Sequence, residues 1–253
     1  MRLRKSLTWK GNLKPDYLTI ALDLLGRLFE LRHIWTEAEE SYHQSLNSSL
    51  GCYYLNSSAL TGLIRVKHAQ GDYPAIPPLL AEAEGLAQQY EYNDHLASLR
   101  LMQGHLAWEG ITTDKIGLNG QTTAAGQSSL QTNQSVVIGF FQQAMIYALR
   151  YNRFLLDEVL IGRPQGTPLR PIIPECARRG EEGRRMLIAL RDWWQTGLND
   201  IGTPRPDTIS PIPEGIPLLE AERIAREREP GDDSLQKSVV EQIEAALKNV
   251  EAG

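Results

Sequence analysis

Proline is distributed unevenly along the 253-residue chain. Ten of the 14 prolines fall between Pro164 and Pro230, and only four precede them. Proline lacks a backbone amide hydrogen and breaks the interior of a helix. The part of the chain before Pro164 can therefore be rich in helix, whereas the stretch 163–217 cannot sustain long helices.

Apolar residues in the first half recur at the spacing of a helix face. Leu18, Leu22, Leu25 and Phe29 follow one another at steps of four, three and four, which places them on one side of a helix. Such patterns predict helices over 16–32, 56–70, 73–91 and 94–109, and a further helix that opens at Thr36. Thr36 and Glu39 have the spacing of a capping box, in which the threonine hydroxyl caps the helix.

The ends of three predicted helices are regularly spaced. His33, Gly71 and Gly110 each end the first helix of a pair, and they lie 38 and 39 residues apart. A fixed period of this size is typical of stacked helix–turn–helix units, which bury a core only against their neighbours. The predicted fold class is therefore all-α, with antiparallel helix hairpins stacked as a short α-solenoid and a proline-rich, partly irregular C-terminal region.

Small and aromatic residues occupy matching positions in the three helix pairs. The first unit contributes Leu25, Gly26, Phe29, Trp35, Ala38, Tyr42 and Ser45. The second contributes Leu60, Leu63, Gly71, Asp72, Tyr73, Leu80 and Ala83, with Ile64 where the first has a mid-helix glycine. The third contributes Leu99, Leu106, Gly110, Phe141 and Ala144.

This pattern resembles the tetratricopeptide repeat family over about residues 16–151. It is similar, more weakly, to the helical repeat arms of bacterial multidomain signalling ATPases and regulators. The family register places the aromatic residue of the third unit at position 119, but Phe141 occurs 22 residues later. The intervening residues are rich in Gly, Ser, Thr, Asn and Gln, which cannot bury a core. We interpret about 111–134 as a flexible insertion.

Composition divides the chain into four regions. A basic segment covers 1–15, the repeats cover 16–162, a proline-rich segment covers 163–217, and an acidic helical tail covers 218–253. Within the proline-rich segment, 181–198 is amphipathic and is predicted to cap the repeats. The last helix of the tail carries an apolar stripe that makes self-association possible, formed by Leu235, Val239, Ile243, Leu247 and Val250.

Charge and hydropathy exclude several classes of protein. The net charge is −5, from 26 basic and 31 acidic residues, which disfavours nucleic acid as a partner. A basic cluster over 178–191 is interrupted by glutamates at helical spacing, which predicts ion pairs within a helix. No apolar run approaches the ~18 residues of a membrane span. Cys52 and Cys176 form no disulfide framework, so a cytoplasmic location is expected.

The sequence lacks the motifs of common enzyme and metal sites. It has no phosphate-binding loop, dinucleotide fingerprint, Gly-x-Ser-x-Gly elbow, His-Glu-x-x-His or Cys-x-x-Cys. His95 and His105 lie ten residues apart on one predicted helix, too far to share a metal. We therefore predict a protein that is not an enzyme and that has no cofactor and no metal.

The resemblance implies a groove lined by the first helix of each pair. The predicted groove residues are Asp23, Arg27, Glu30, Thr61, Arg65, His68, Arg100 and Trp108. The three arginines would form a column of cations, and guanidinium groups bind carboxylates through paired donors. An acidic or C-terminal peptide is the expected ligand. Alternatively, the arginines are solvated or paired with Asp23 and Glu30.

The predicted function is a non-enzymatic protein–protein interaction scaffold or regulatory module, which binds a peptide or partner domain in a helical-repeat groove. Three alternatives stay open at this point. The chain could be a sensor arm of a signalling ATPase or transcription regulator, an enzyme with a site between the repeats and the C-terminal region, or a self-associating structural protein.

Overall fold

A computed structural model describes residues 15–49, 51–111, 129–151, 153–163, 168–195 and 234–251. Within these ranges the regular elements are helices and no strand occurs. This confirms the all-α fold class. The chain divides into two compact units, Met1–Glu91 and Tyr92–Gly253.

The first unit consists of two helix hairpins. Its helices are α1 (Pro15–Leu31), α2 (Trp35–Ser48), α3 (Tyr53–Gln70) and α4 (Ile76–Gln89), and a short 3-10 helix at Tyr73–Ala75 precedes α4. Helix α1 packs on α2 and α3 packs on α4, while α3 also packs on both α1 and α2. Each hairpin therefore buries its apolar face against the other.

The second unit contains six described helices. They are α5 (Asn93–Trp108), α6 (Ser129–Tyr151), α7 (Arg153–Leu160), α8 (Ile172–Arg178), α9 (Gly180–Gln195) and α10 (Ser234–Glu251). Helices α5 and α6 form the third hairpin, and α9 packs on α6, α8 and α10. Val239, Ile243 and Leu247 of the C-terminal stripe are buried within the chain.

The three predicted helix ends share one backbone geometry. His33, Gly71 and Gly110 have positive φ angles of 57°, 75° and 71°. The amide of each donates to the carbonyl three residues back, at 3.0–3.1 Å, and the next amide donates to the carbonyl five residues back, at 2.9 Å. This is the Schellman motif, in which a left-handed residue closes a helix. The repeat period predicted from sequence is therefore present in the backbone.

A tyrosine on α2 links the two hairpins of the first unit. A Cβ added at Gly26 of α1 would lie 2.7 Å from the Tyr42 ring, and one added at Gly62 of α3 would also overlap that ring. Tyr42 is fully buried between the two glycines. In the third hairpin, Gly104 of α5 meets the Phe141 ring of α6 in the same way. The glycines thus allow helices to approach an aromatic ring closely.

Three local expectations are corrected. The capping box is wrong, because α2 begins at Trp35 with Ile34 as its N-cap and no side chain caps it. The prolines of 162–175 predict an extended crossing there, but helix α8 occupies part of it, because Pro174 lies in its first turn, where a missing amide hydrogen costs little. Helix α6 begins at Ser129, inside the range assigned to the insertion.

Several expectations fall on residues outside the described ranges. They concern the basic N-terminal segment, most of the insertion, the end of the proline-rich segment (196–217) and the start of the acidic tail (218–233). Within the described residues, none of the helices combines the length and apolar character needed to cross a bilayer.

Candidate interaction surface

A buried ion pair joins α1 to α3. Arg65 donates from Nε to Glu30 Oε1 at 2.6 Å and from Nη2 to Glu30 Oε2 at 3.0 Å. The Tyr42 hydroxyl donates to Glu30 Oε2 at 2.8 Å. The side chains of Arg65 and Glu30 are only 7% and 4% exposed. One carboxylate therefore ties three helices together through a two-pronged, charge-assisted contact.

A second polar cluster lies on the same two helices. Arg27 contacts Asp23 Oδ2 from Nε at 3.3 Å and donates from Nη2 to Ser58 Oγ at 2.8 Å. The Ser58 hydroxyl in turn donates to Asp23 Oδ2 at 3.2 Å. Arg27 and Arg65 thus have the paired arrangement that was one of the two possibilities left open by the sequence.

Burial and charge shift the protonation of these groups. Burial raises the pKa of Tyr42, although the Arg65 charge acts in the opposite direction. Burial alone would lower the pKa of Arg65, but the adjacent Glu30 carboxylate holds it above its usual value. Burial also raises the pKa of Asp23, against the opposing effects of Arg27 and Ser58. Arg65 is consequently a fixed positive charge.

Asp23→Asn is expected to stabilise the first unit at neutral pH. Asp23 is buried, and Oδ1 has no hydrogen-bond partner among the described residues. Its raised pKa means that the folded state binds the proton more tightly than the unfolded state, so ionisation of Asp23 lowers stability as the pH rises through the folded-state pKa. The gain from the asparagine should disappear at acid pH, where the wild-type carboxyl is protonated.

Urea unfolding of both proteins across a pH series measures this difference. Asp192→Asn, on an exposed residue of α9, serves as the control. A loss of stability at neutral pH in Asp23→Asn would show that the contacts with Arg27 and Ser58 outweigh the cost of burying the charge.

The remaining predicted groove residues differ in exposure. Thr61 is buried and donates to the Ser57 carbonyl oxygen at 2.7 Å. His68 is partly exposed, and its ring centroid lies 6.0 Å from that of Tyr73. Arg100 and Trp108 belong to the second unit and are buried there, with Arg100 Nη1 donating to Gln103 Oε1 at 2.6 Å. Of the eight predicted residues, Arg27 and His68 are therefore those with substantial exposure.

Trp108 connects α5 to the helices that follow the third hairpin. Its indole Nε1 donates to Glu182 Oε1 at 2.8 Å. The Arg179 guanidinium lies 4.2 Å from the ring centroid, a cation–π contact, and its Nε donates to Glu175 Oε1 at 3.2 Å.

The ion pairs predicted within the basic cluster over 178–191 are confirmed, since Glu175 and Glu181 each contact arginines three and four residues later.

His105 is buried beside this junction. Its Nε2 lies 2.6 Å from the Arg170 carbonyl oxygen. A carbonyl oxygen can only accept, so Nε2 carries the hydrogen. The Phe141 ring packs edge-on against the imidazole at 5.3 Å. Burial lowers the pKa of His105 to about 4, against the raising effect of the Arg170 carbonyl.

The neutral form of His105 is expected to make folding pH-dependent. Between the unfolded value of about 6.5 and the folded value of about 4, the unfolded chain binds the proton and the folded chain does not. Stability should therefore fall as the pH is lowered through this window, by at most about 1.4 kcal/mol per pH unit. Urea unfolding of wild type and His105→Gln should show a shallower pH dependence in the variant. Parallel profiles would contradict the assignment.

Among the described residues, no group of three or more His, Cys, Asp or Glu side chains is placed to hold a metal ion. Comparisons with protein-family models, with curated proteins and with solved structures find no match.

Pairing of the groove arginines with Asp23 or Glu30 was one of the two alternatives left open by the sequence, but the particular pair of Glu30 with Arg65 was not singled out. They have opposite charges and lie 35 residues apart, close to the repeat period of 38. Residues separated by one period occupy neighbouring positions on equivalent helices. Opposite charges at that separation were the signal that could have identified the pair.

Proposed function

We propose that this protein is a non-enzymatic interaction scaffold that binds an acidic peptide segment on the face shared by α1 and α3. The observation that supports the proposal is the bidentate Glu30–Arg65 contact, buried and tied to Tyr42. It holds the first helices of two successive hairpins in a fixed register. A surface that is ordered before binding loses less entropy when the partner arrives.

Arg27 provides the charge that selects the partner. Its side chain is 44% exposed despite its contacts with Asp23 and Ser58. Those contacts use Nε and Nη2, and a guanidinium has five N–H donors in all. The group can therefore also bind a carboxylate from a partner. In the repeat register, His68 of α3 belongs to the same inner face and adds a second polar contact.

Affinity capture followed by quantitative mass spectrometry tests the proposal. The baits are wild type, Arg27→Gln, His68→Gln and a matched control, Arg185→Gln, in which an exposed arginine of α9 is changed. Arg27→Gln and His68→Gln should each reduce the captured amount of the same protein by about tenfold or more. The control should capture as much of it as wild type does. If Arg27→Gln and His68→Gln both captured the same proteins in the same amounts as wild type, the proposal would be refuted.

A further inference from the structure

One face of α1 exposes a continuous apolar stripe. Of the eleven large apolar side chains that are exposed among the described residues, five lie on this helix. They are Tyr17, Ile20, Leu24, Leu28 and Leu31. Their exposure is high, with Tyr17 at 60%, Leu24 at 57% and Leu31 at 46%. Isolated exposed leucines are ordinary, but a contiguous apolar patch marks an interaction site.

The spacing of this stripe matches the contact seam of a helix pair. Tyr17, Ala21, Leu24, Leu28 and Leu31 follow one another at steps of four, three, four and three, and Ala21 is also exposed. We call these five residues the α1 stripe. A heptad spacing places the side chains in a straight row that interlocks with a second helix. The row extends for about 21 Å at 1.5 Å per residue.

The second hairpin shows what covers the equivalent face. One repeat period of 38 residues relates Ala21, Leu24 and Leu28 of α1 to Ala59, Gly62 and Val66 of α3. These three α3 residues are buried. Ala59 and Val66 share a core cluster with Tyr42 of the preceding hairpin, and Gly62 meets its ring. The face that α3 packs against a preceding helix is the face that α1 leaves exposed.

The charges beside the α1 stripe are positive. Both carboxylates within its span, Asp23 and Glu30, are buried and bonded to residues of α3. Arg27 and Arg32 are exposed; Arg27 lies at a heptad position that flanks the seam, and Arg32 follows the last residue of α1 on the other side of that seam. Pairing two parallel copies of α1 would place Arg27 of one copy near Arg32 of the other, which is unfavourable. The chemistry of the flanks therefore favours a partner helix with acidic flanks.

We propose that the α1 stripe is a docking surface for an amphipathic helix of another protein, with an apolar seam at heptad spacing and acidic residues beside it. The α1 stripe contains neither Arg27 nor His68, although Arg27 flanks it, so this proposal rests on the apolar seam and does not depend on the proposed function. The partner helix covers α1 as the α1–α2 hairpin covers α3.

Two synthetic helical peptides, each about three heptads long, test the proposal with the full-length chain. Both carry leucine at the seam positions, and the flanks are glutamate in one peptide and lysine in the other. Fluorescence anisotropy should show that the glutamate peptide binds at least about tenfold more tightly than the lysine peptide. Equal binding of the two peptides, or no binding of the glutamate peptide, would overturn the proposal.

Variants locate the binding site on the protein. Leu24→Glu with Leu28→Glu should weaken binding of the glutamate peptide by about tenfold or more. Phe154→Glu, on the 85% exposed side chain of α7, is the matched control and should leave the affinity unchanged. Arg32→Glu alone should reduce or reverse the preference between the peptides. Insensitivity to both the leucine and the arginine changes would contradict the proposal.

Two further measurements address other occupants of the stripe. If wild type sediments with vesicles of anionic phospholipid, the double leucine variant does not, and the peptide fails to bind, the stripe is a membrane surface and the proposal is wrong. If wild type dimerises in sedimentation and the double variant is monomeric, a second copy is the occupant, which also overturns it. The proposal is supported if wild type is monomeric, does not sediment with the vesicles and binds the glutamate peptide.

Discussion

Arg65→Met should destabilise the first unit by about 3–5 kcal/mol. The substitution leaves Glu30 buried at 4% exposure without the guanidinium that donates to both of its oxygens. An unpaired charge in the interior costs more than the methionine gains by packing. Hydrogen exchange resolved to peptides, measured in the full chain, reports the effect within α1 and α3.

A triple variant distinguishes this explanation from a simple loss of packing. Glu30→Met, Tyr42→Phe and Arg65→Met together remove both charges and the hydroxyl that donates to Glu30. Replacing a whole buried ion pair with apolar residues is often neutral or stabilising. We expect the triple variant to recover most of the lost stability. If Arg65→Met lowered the free energy of opening measured by hydrogen exchange by only about 1 kcal/mol or less, the result would show that water screens the pair.

Gly183→Ala should destabilise the junction of α8 and α9 by about 3 kcal/mol or more. A Cβ at Gly183 would overlap the backbone carbonyl of Cys176, which cannot move aside as a flexible side chain can. The two helices would have to separate. Cys176 is buried, and burial raises the pKa of its thiol. Opening of the junction should therefore accelerate alkylation of Cys176, measured by mass spectrometry of its peptide.

Gly85→Ala is the matched control for this substitution. Gly85 lies in α4, and a Cβ there meets no heavy atom within 4 Å. Alanine in a helix is more stable than glycine by roughly 0.5–1 kcal/mol, so the control should become slightly more stable. If Gly183→Ala behaved like Gly85→Ala and left Cys176 protected, close contact between α8 and α9 would not be a requirement of the fold.

The helical class and the repeat period could be predicted because both depend on local chemistry. Apolar spacing specifies a helix face, and His33, Gly71 and Gly110 end helices in left-handed conformations. The start of α2 could not be predicted in the same way. A Thr-x-x-Glu spacing is compatible with a cap at Thr36, but the helix starts one residue earlier, at Trp35. Tertiary context routinely overrides such local preferences.

The candidate surface was less predictable than the fold. The sequence assigned Asp23, Arg27, Glu30 and Arg65 to one face, and the structure brings these four together on α1 and α3. It did not determine which would be buried, because Glu30 and Arg65 meet only after α1 and α3 pack. The same limitation applies to the α1 stripe, since local spacing does not show whether a second apolar face is covered.

The position of Tyr42 has a consequence for how the first unit acquires its structure. The ring is lodged between glycines contributed by consecutive hairpins, so neither hairpin alone can enclose it. A fragment that ends between α2 and α3 would leave the Tyr42 ring exposed on one side, so it should not fold stably. Formation of the first hairpin is therefore linked to arrival of the second, and a recombinant fragment intended to fold alone should extend at least to Glu91.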